Sequence, residues 1–172
     1  MGLLIFLLIA IAIAGIIAII YIINNSQMKF LQSKIATSEN TIKEYLDERY
    51  SYLEDASNIV KKSIGDEKDY FKDYLVKSSS LIKLHENLIN AFNLLSKVES
   101  DFKKLENNKK LISINNKIKI SNEKIVAITS YYNKSVTQLN EFTRKFPSKY
   151  IAKLNKIKVK PLFNNKEIIK ED

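Results

Sequence analysis

The sequence predicts an all-α fold, a single N-terminal transmembrane helix followed by an antiparallel bundle of three or four long helices, and three observations predict it. From Gly2 to Ile23 there is no charge, and nearly every residue is Leu, Ile or Ala. Beyond that stretch, apolar residues recur at alternating three- and four-residue spacings, the period of one helix face. Only three Gly and two Pro occur in 172 residues, too few for the tight turns of a sheet. The expected organisation is an anchor over 1–24, a helical domain over 25–155 and a basic, largely irregular tail over 156–172.

The apolar stretch, at roughly 1.5 Å per residue, reaches roughly 33 Å as a helix, enough for a hydrocarbon core of about 30 Å. A cleaved signal peptide would have a basic n-region, a shorter apolar run and a small-x-small site before the polar Asn24-Asn25-Ser26; all three are missing. Lys29 and Lys34 follow the span closely while only the α-amine precedes it. The positive-inside rule therefore sets the short N-terminus outside and the rest in the cytoplasm, a single-pass protein of the cell membrane.

Directly after the anchor, Leu31, Ile35, Ile42, Tyr45, Leu46, Tyr52, Leu53, Ala56, Ile59 and Val60 form a broad apolar helix face, with Gly65 placed to cap it. Nothing in the sequence breaks the run between anchor and helix. Next, Phe71, Tyr74, Ser78, Leu81, His85, Leu88, Phe92, Leu95 and Phe102 fall on one stripe. Ser78-Ser79-Ser80 is the one turn signal inside it, so one helix and two remain open. The third run is the most regular: Leu111, Ile114, Ile118, Ser121, Ile125, Ile128, Tyr132, Ser135, Leu139, Phe142 and Phe146 keep a single seam over about five heptads. It should start near Glu106-Asn107-Asn108 and stop at Phe146, because Pro147 pushes the preceding residue out of helical geometry. Beyond Pro147 the pattern loosens: Tyr150, Ile151 and Leu154 allow one more amphipathic turn, then the chain becomes basic and irregular through Pro161-Leu162-Phe163 to an unpatterned polar tail, whose last eight or nine residues should be mobile.

Chemistry is sparse. With no Cys, disulfides, thiolate metal sites and thiol catalysis are excluded, and the single His, His85, excludes multi-histidine metal sites. His85 lies on the apolar stripe, where a packed histidine is the simpler reading than a catalytic one; it alone motivates a third-ranked reading of the chain as an enzyme of unknown type. Asp47-Glu48, Glu54-Asp55 and Asp66-Glu67 are interleaved with Lys or Arg and read as solvated helix surface rather than acid–base pairs. Neither Glu-x-x-His, a Gly-rich phosphate loop, GxSxG nor HExxH occurs. The expectation is no enzyme, no cofactor and no metal.

The net charge of +9 is unevenly placed: residues 29–101 carry 11 basic and 13 acidic groups, whereas residues 102–172 carry 17 and 6. Arg is limited to Arg49 and Arg144, so the bidentate contacts of nucleic-acid readout are mostly missing and no nucleic-acid partner is expected. In a tethered domain, Lys153, Lys156, Lys158 and Lys160 are candidates for contact with anionic lipid.

Several motifs come in the order of a known family. Tyr132-Asn133 with Val136 resembles a YNxxV element, Leu139-Asn140 stands where a second YN is usual, Phe146-Pro147 resembles a closing FP, and Lys160-Pro161-Leu162-Phe163 a KPxxF ending. Upstream, Leu46-Asp47-Glu48-Arg49-Tyr50 after a membrane span looks like LxRRY, with Val60-Lys61 matching a later VK. These make the chain similar to the LemA family of bacterial membrane proteins, as a divergent member: Glu54-Asp55, Ser121-Asn122 and Thr129 replace the usual Pro-Asn, Thr-Glu and Arg. The resemblance implies a helical bundle behind an N-terminal anchor and implies no reaction. Arg49, Tyr50, Tyr132, Asn133, Asn140, Phe146 and Pro147 are its motif residues; packing is the simpler use of Tyr132 and Phe146, partner contact the alternative. The expected function is a non-enzymatic scaffold or interaction module at the bacterial cytoplasmic membrane, binding another protein or a second copy of itself; the alternative is a lipid-surface protein using the basic C-terminal segment.

Overall fold

The computed structural model describes residues 1–65 and 70–164. Among these residues the regular structure is helical throughout: α1 (Gly2–Ile64), α2 (Leu81–Asp101), α3 (Lys103–Glu106), α4 (Lys109–Phe142) and α5 (Ser148–Leu154). The carboxylates Asp66-Glu67 and the tail 165–172, where the sequence suggests mobility, lie outside the described residues. Two compact units emerge, residues 1–37 with 132–162, and residues 38–131 with the segment that begins at Phe163.

α1 runs unbroken out of the apolar stretch, as the uninterrupted pattern allows. Its most apolar 18-residue window has a mean hydropathy of 3.4 and no buried residue, so the helix is long and apolar enough to cross a membrane. It stops where Gly65 takes φ +73°, a left-handed conformation that costs glycine little, and donates its N–H to the Lys61 carbonyl at 3.1 Å. Lys61 and Lys62 in the last turn face the negative end of the helix dipole.

In the unit built from 38–131, Ile42, Leu46, Leu53, Ala56 and Val60 of α1 are buried together with Leu84, Leu88, Leu95 and Val98 of α2 and Leu111, Ile118 and Ile125 of α4. The Lys124 ammonium lies over the Tyr45 ring and the Lys117 ammonium over the Tyr52 ring, at 5.4 and 5.6 Å. Seven residues forward in α1 are thus seven residues back in α4, an antiparallel pairing with heptad spacing. Asn115 of α4 reaches α2 through a 2.7 Å bond from its Nδ2 to Glu99 Oε1.

The middle stripe is helical only in part. Phe71 to Leu75 is a turn, closed by the N–H groups of Tyr74 and Leu75 on the Phe71 carbonyl, and α2 begins after Ser80, whose hydroxyl accepts from the Lys83 N–H. Serine competes for backbone bonds better than it propagates a helix, so the serine run becomes a cap rather than a mid-helix segment. Tyr74 and Phe102 consequently fall outside the helix and are exposed, while Phe71 is buried from the turn. α4 starts as expected, with Asn108 Oδ1 accepting from the N–H groups of Lys110 and Leu111. It ends one turn early, at Phe142: Thr143 Oγ1 donates back to the Asn140 carbonyl and the chain turns through 143–147. Phe146, expected on the seam, is therefore 82 % exposed.

The unit built from 1–37 and 132–162 has a small core in which Met28 of α1 meets Ile151 and Ala152 of α5, with Phe142 and Ile157 packed against them. Leu31, Ile35, Val136 and Leu139 are buried in the same unit.

Candidate functional site

The most unusual side-chain grouping is built around a buried guanidinium, with nothing acidic beside it among the described residues. Arg49 belongs to the buried face of α1, in step with Leu46 and Leu53, and is 1 % exposed. Its Nη2 donates to the Leu88 carbonyl at 3.5 Å, its guanidinium lies 5.8 Å from the Phe92 ring centre, and its Nε and Nη1 have no hydrogen-bond partner. One turn before Leu88, His85 is equally buried, and both its ring nitrogens lack partners. Phe163 packs edge-on against the imidazole, centroids 5.9 Å apart.

Burial lowers the Arg49 pKa to about 10, because the charged form loses water without gaining a counter-charge. Burial, and secondarily the neighbouring Arg49 charge, lowers His85 to about 4, so the imidazole is neutral at pH 7. Chemically, the group offers donors in an apolar setting and supplies no nucleophile and no carboxylate. Withdrawing a guanidinium from water without an ion-pair partner costs several kcal/mol, on the order of a large fraction of a domain's stability.

A second grouping ties down the chain after α5. Tyr132 is 3 % exposed and its hydroxyl donates to the Pro161 carbonyl at 3.3 Å. Two turns on, Asn140 makes a reciprocal pair with Lys160, its Nδ2 donating to the Lys160 carbonyl and its Oδ1 accepting from the Lys160 N–H, both at 3.0 Å. An amide side chain is suited to this, because it presents one donor and one acceptor side by side, as a neighbouring strand would. Asn140 and Tyr132 thus satisfy the backbone of a segment that has no regular structure of its own.

The other motif residues are dispersed. Tyr50 is half-buried and its hydroxyl donates to the Leu75 carbonyl at 3.0 Å, holding the turn before α2. Asn133 and Pro147 are half-buried, and Phe146 projects outward against Tyr150, rings 6.1 Å apart. Lys153, Lys156 and Lys158 are exposed, whereas Lys160 is half-buried. The structure therefore gathers Tyr132 and Asn140 around Lys160 and Pro161, and places Arg49 with His85. Sequence spacing missed the contacts of His85 with Phe163 and of Asn140 with Lys160; the one signal was that Asn140, Lys160 and Phe163 belong to short motifs, whereas His85 belongs to none.

Among the described residues, no group of three or more His, Asp or Glu side chains is gathered as a metal ion would require. An open cleft of 790 Å³ lies in the first unit between α1 and the α4–α5 turn, lined among others by Phe30, Lys34, Glu141, Lys145 and Phe146. Glu141 is engaged by Lys145 at 2.9 Å, a surface pair one helix turn apart that pulls the Glu141 carboxyl below its ordinary pKa through that hydrogen bond.

Comparison with known proteins agrees with the motifs. No curated protein and no solved structure matches the chain. A family model, that of the LemA family, matches residues 38–172, which takes in Arg49-Tyr50, Tyr132-Asn133, Asn140, Phe146-Pro147 and Lys160 to Phe163. With well over half of its residues matched, the chain belongs to the LemA family.

Proposed function

We propose that this protein is a membrane-anchored, non-enzymatic scaffold or interaction module of the bacterial cytoplasmic membrane. One observation carries the reading. The apolar part of α1 is wholly exposed, with Leu3, Leu4, Phe6, Ile16 and Ile17 each more than half accessible, and the same helix continues without a break into a well-packed domain. An apolar surface of that size is stable in a bilayer and not in water. Membership of a family not known for enzymes supports a role in binding rather than turnover, as does the lack, among the described residues, of a nucleophile or carboxylate beside His85.

The supporting charge pattern, Lys29 and Lys34 after the span, favours a domain on the cytoplasmic side. A second reading is favoured by the exposure of Lys153, Lys156 and Lys158: the basic C-terminal segment contacts anionic lipid of the same membrane. Alkaline carbonate extraction tests the anchor. The full-length chain should stay in the membrane pellet with its N-terminal residues intact by mass; release into the supernatant as a chain shortened near Asn24 would mean a cleaved leader and end the proposal.

A further inference from the structure

In the first unit, short helix α5 is fastened to α1 at the very end of the apolar stretch. Asn155, which caps α5, donates from Nδ2 to Asn25 Oδ1 at 2.9 Å, and Ile151 and Ala152 pack on Met28. If the hydrocarbon ends at Ile23, a rise of 1.5 Å per residue puts Asn25 about 3 Å and Met28 about 8 Å beyond it. A headgroup layer is about 5–8 Å thick, the difference between a core of about 30 Å and a bilayer of about 40–45 Å. The C-terminal end of α5 thus falls inside that layer.

The face that α5 turns away from Met28 suits such a place. Ser148, Ile151 and Ala152 are buried, while Phe146, Tyr150 and Leu154, spaced four apart, are 82, 61 and 71 % exposed. Lys149, Lys153 and Lys156 are exposed around them. Large apolar side chains with a tyrosine among them and lysines at their border match the composition of interfacial segments, in which the rings sit at headgroup level and the ammonium groups reach lipid phosphates. In water, Tyr150 and Leu154 on one face of a two-turn helix, with Phe146 in the turn just before it, would be a liability; at the membrane they have a solvent.

We propose that α5 is an interfacial element seated in the bilayer that α1 crosses, with Tyr150 and Leu154 entering the boundary between headgroups and acyl chains and Lys149, Lys153 and Lys156 on lipid phosphates. This inference rests on the membrane-anchor reading above, and it narrows the lipid contact to Lys149 and Lys153 of α5 and Lys156 just after it, and adds an apolar wedge. Lys160 is not part of it, since its backbone is held by Asn140.

The chain contains no Trp, so single substitutions report cleanly. The full-length protein is reconstituted in phosphatidylglycerol-containing vesicles as Ile13→Trp, Tyr150→Trp or Leu154→Trp, with lipids brominated either high or low on the acyl chain. Ile13→Trp should be quenched by the low bromines. Tyr150→Trp and Leu154→Trp should lose emission about twofold to the high bromines, at the depth of about 5–10 Å where interfacial helices bury apolar side chains, and less once Lys149, Lys153 and Lys156 are Gln. Quenching at Ile13→Trp with water-like, unquenched emission from both α5 positions would overturn the inference and leave the anchor standing. Unquenched but blue-shifted emission there would overturn it in favour of a protein covering the face. No quenching at any position would remove the anchor and the inference together.

Discussion

His85 and Arg49 are the residues whose state the fold changes most. Both are drawn from water by α1 and α2, and among the described residues neither meets a carboxylate. For His85 the sign of the consequence is definite: its folded pKa, about 4, lies below the unfolded value of 6.5. The unfolded chain therefore takes up the proton first, so stability is fully present above pH 6.5 and is lost as pH falls towards 4. At about 1.4 kcal/mol per pH unit, the loss attributable to this one group is up to about 3 kcal/mol. Urea unfolding of the 25–172 fragment at pH 7 and pH 4.5 should show that loss in the wild type and much less of it in His85→Leu. Equal pH dependence in both would mean that His85 is hydrated or paired in solution. The sequence put His85 on an apolar stripe and so implied burial, but not its neighbours: Arg49 and Phe163 come from segments 36 residues before and 78 after it.

Among the elements, the long helices were legible, and so was the short α5, which forms where Tyr150, Ile151 and Leu154 allowed one amphipathic turn. The α1 and α4 seams, the Gly65 cap and the Asn108 start follow from spacing and capping chemistry, because over 30 or more residues every local preference agrees with the packed face. Misplacement came where two preferences competed. The Phe71–Ser80 stripe has helical spacing, yet serine capping and the turn at Phe71 prevail. At the end of α4 the period runs to Phe146, yet the backbone leaves the helix after Phe142, where the Thr143 hydroxyl bonds back to the Asn140 carbonyl and the chain turns before Pro147. The clamp on Lys160 was invisible, since an Asn twenty residues away carries no periodic signal. It leads to a specific expectation: Asn140→Ala removes both bonds to Lys160 and should cost about 1–2 kcal/mol, with faster hydrogen exchange at the Lys160 amide. Unchanged exchange would show that this segment is held by something else.

At the scale of the molecule, the regular seam of α4 is spent inside the chain. Leu111, Ile118 and Ile125 are buried in one unit and Tyr132 and Leu139 in the other, none more than 3 % exposed. A seam of that regularity also suits pairing between chains, and its burial here argues for a monomeric soluble part: the 25–172 fragment should sediment as a monomer over a wide concentration range, and a concentration-dependent dimer would contradict it. Among the described residues, the apolar stretch of α1 and Lys153, Lys156 and Lys158 face outward. The proposed role requires that α1 cross a bilayer once. Because the chain has no Cys, the direct measurement is labelling of single-cysteine variants Gly2→Cys and Asn107→Cys by a membrane-impermeant maleimide on intact spheroplasts. A single crossing with the N-terminus outside gives labelling of the first but not of the second, with both labelled after lysis; labelling of both, or of Asn107→Cys alone, before lysis would contradict it.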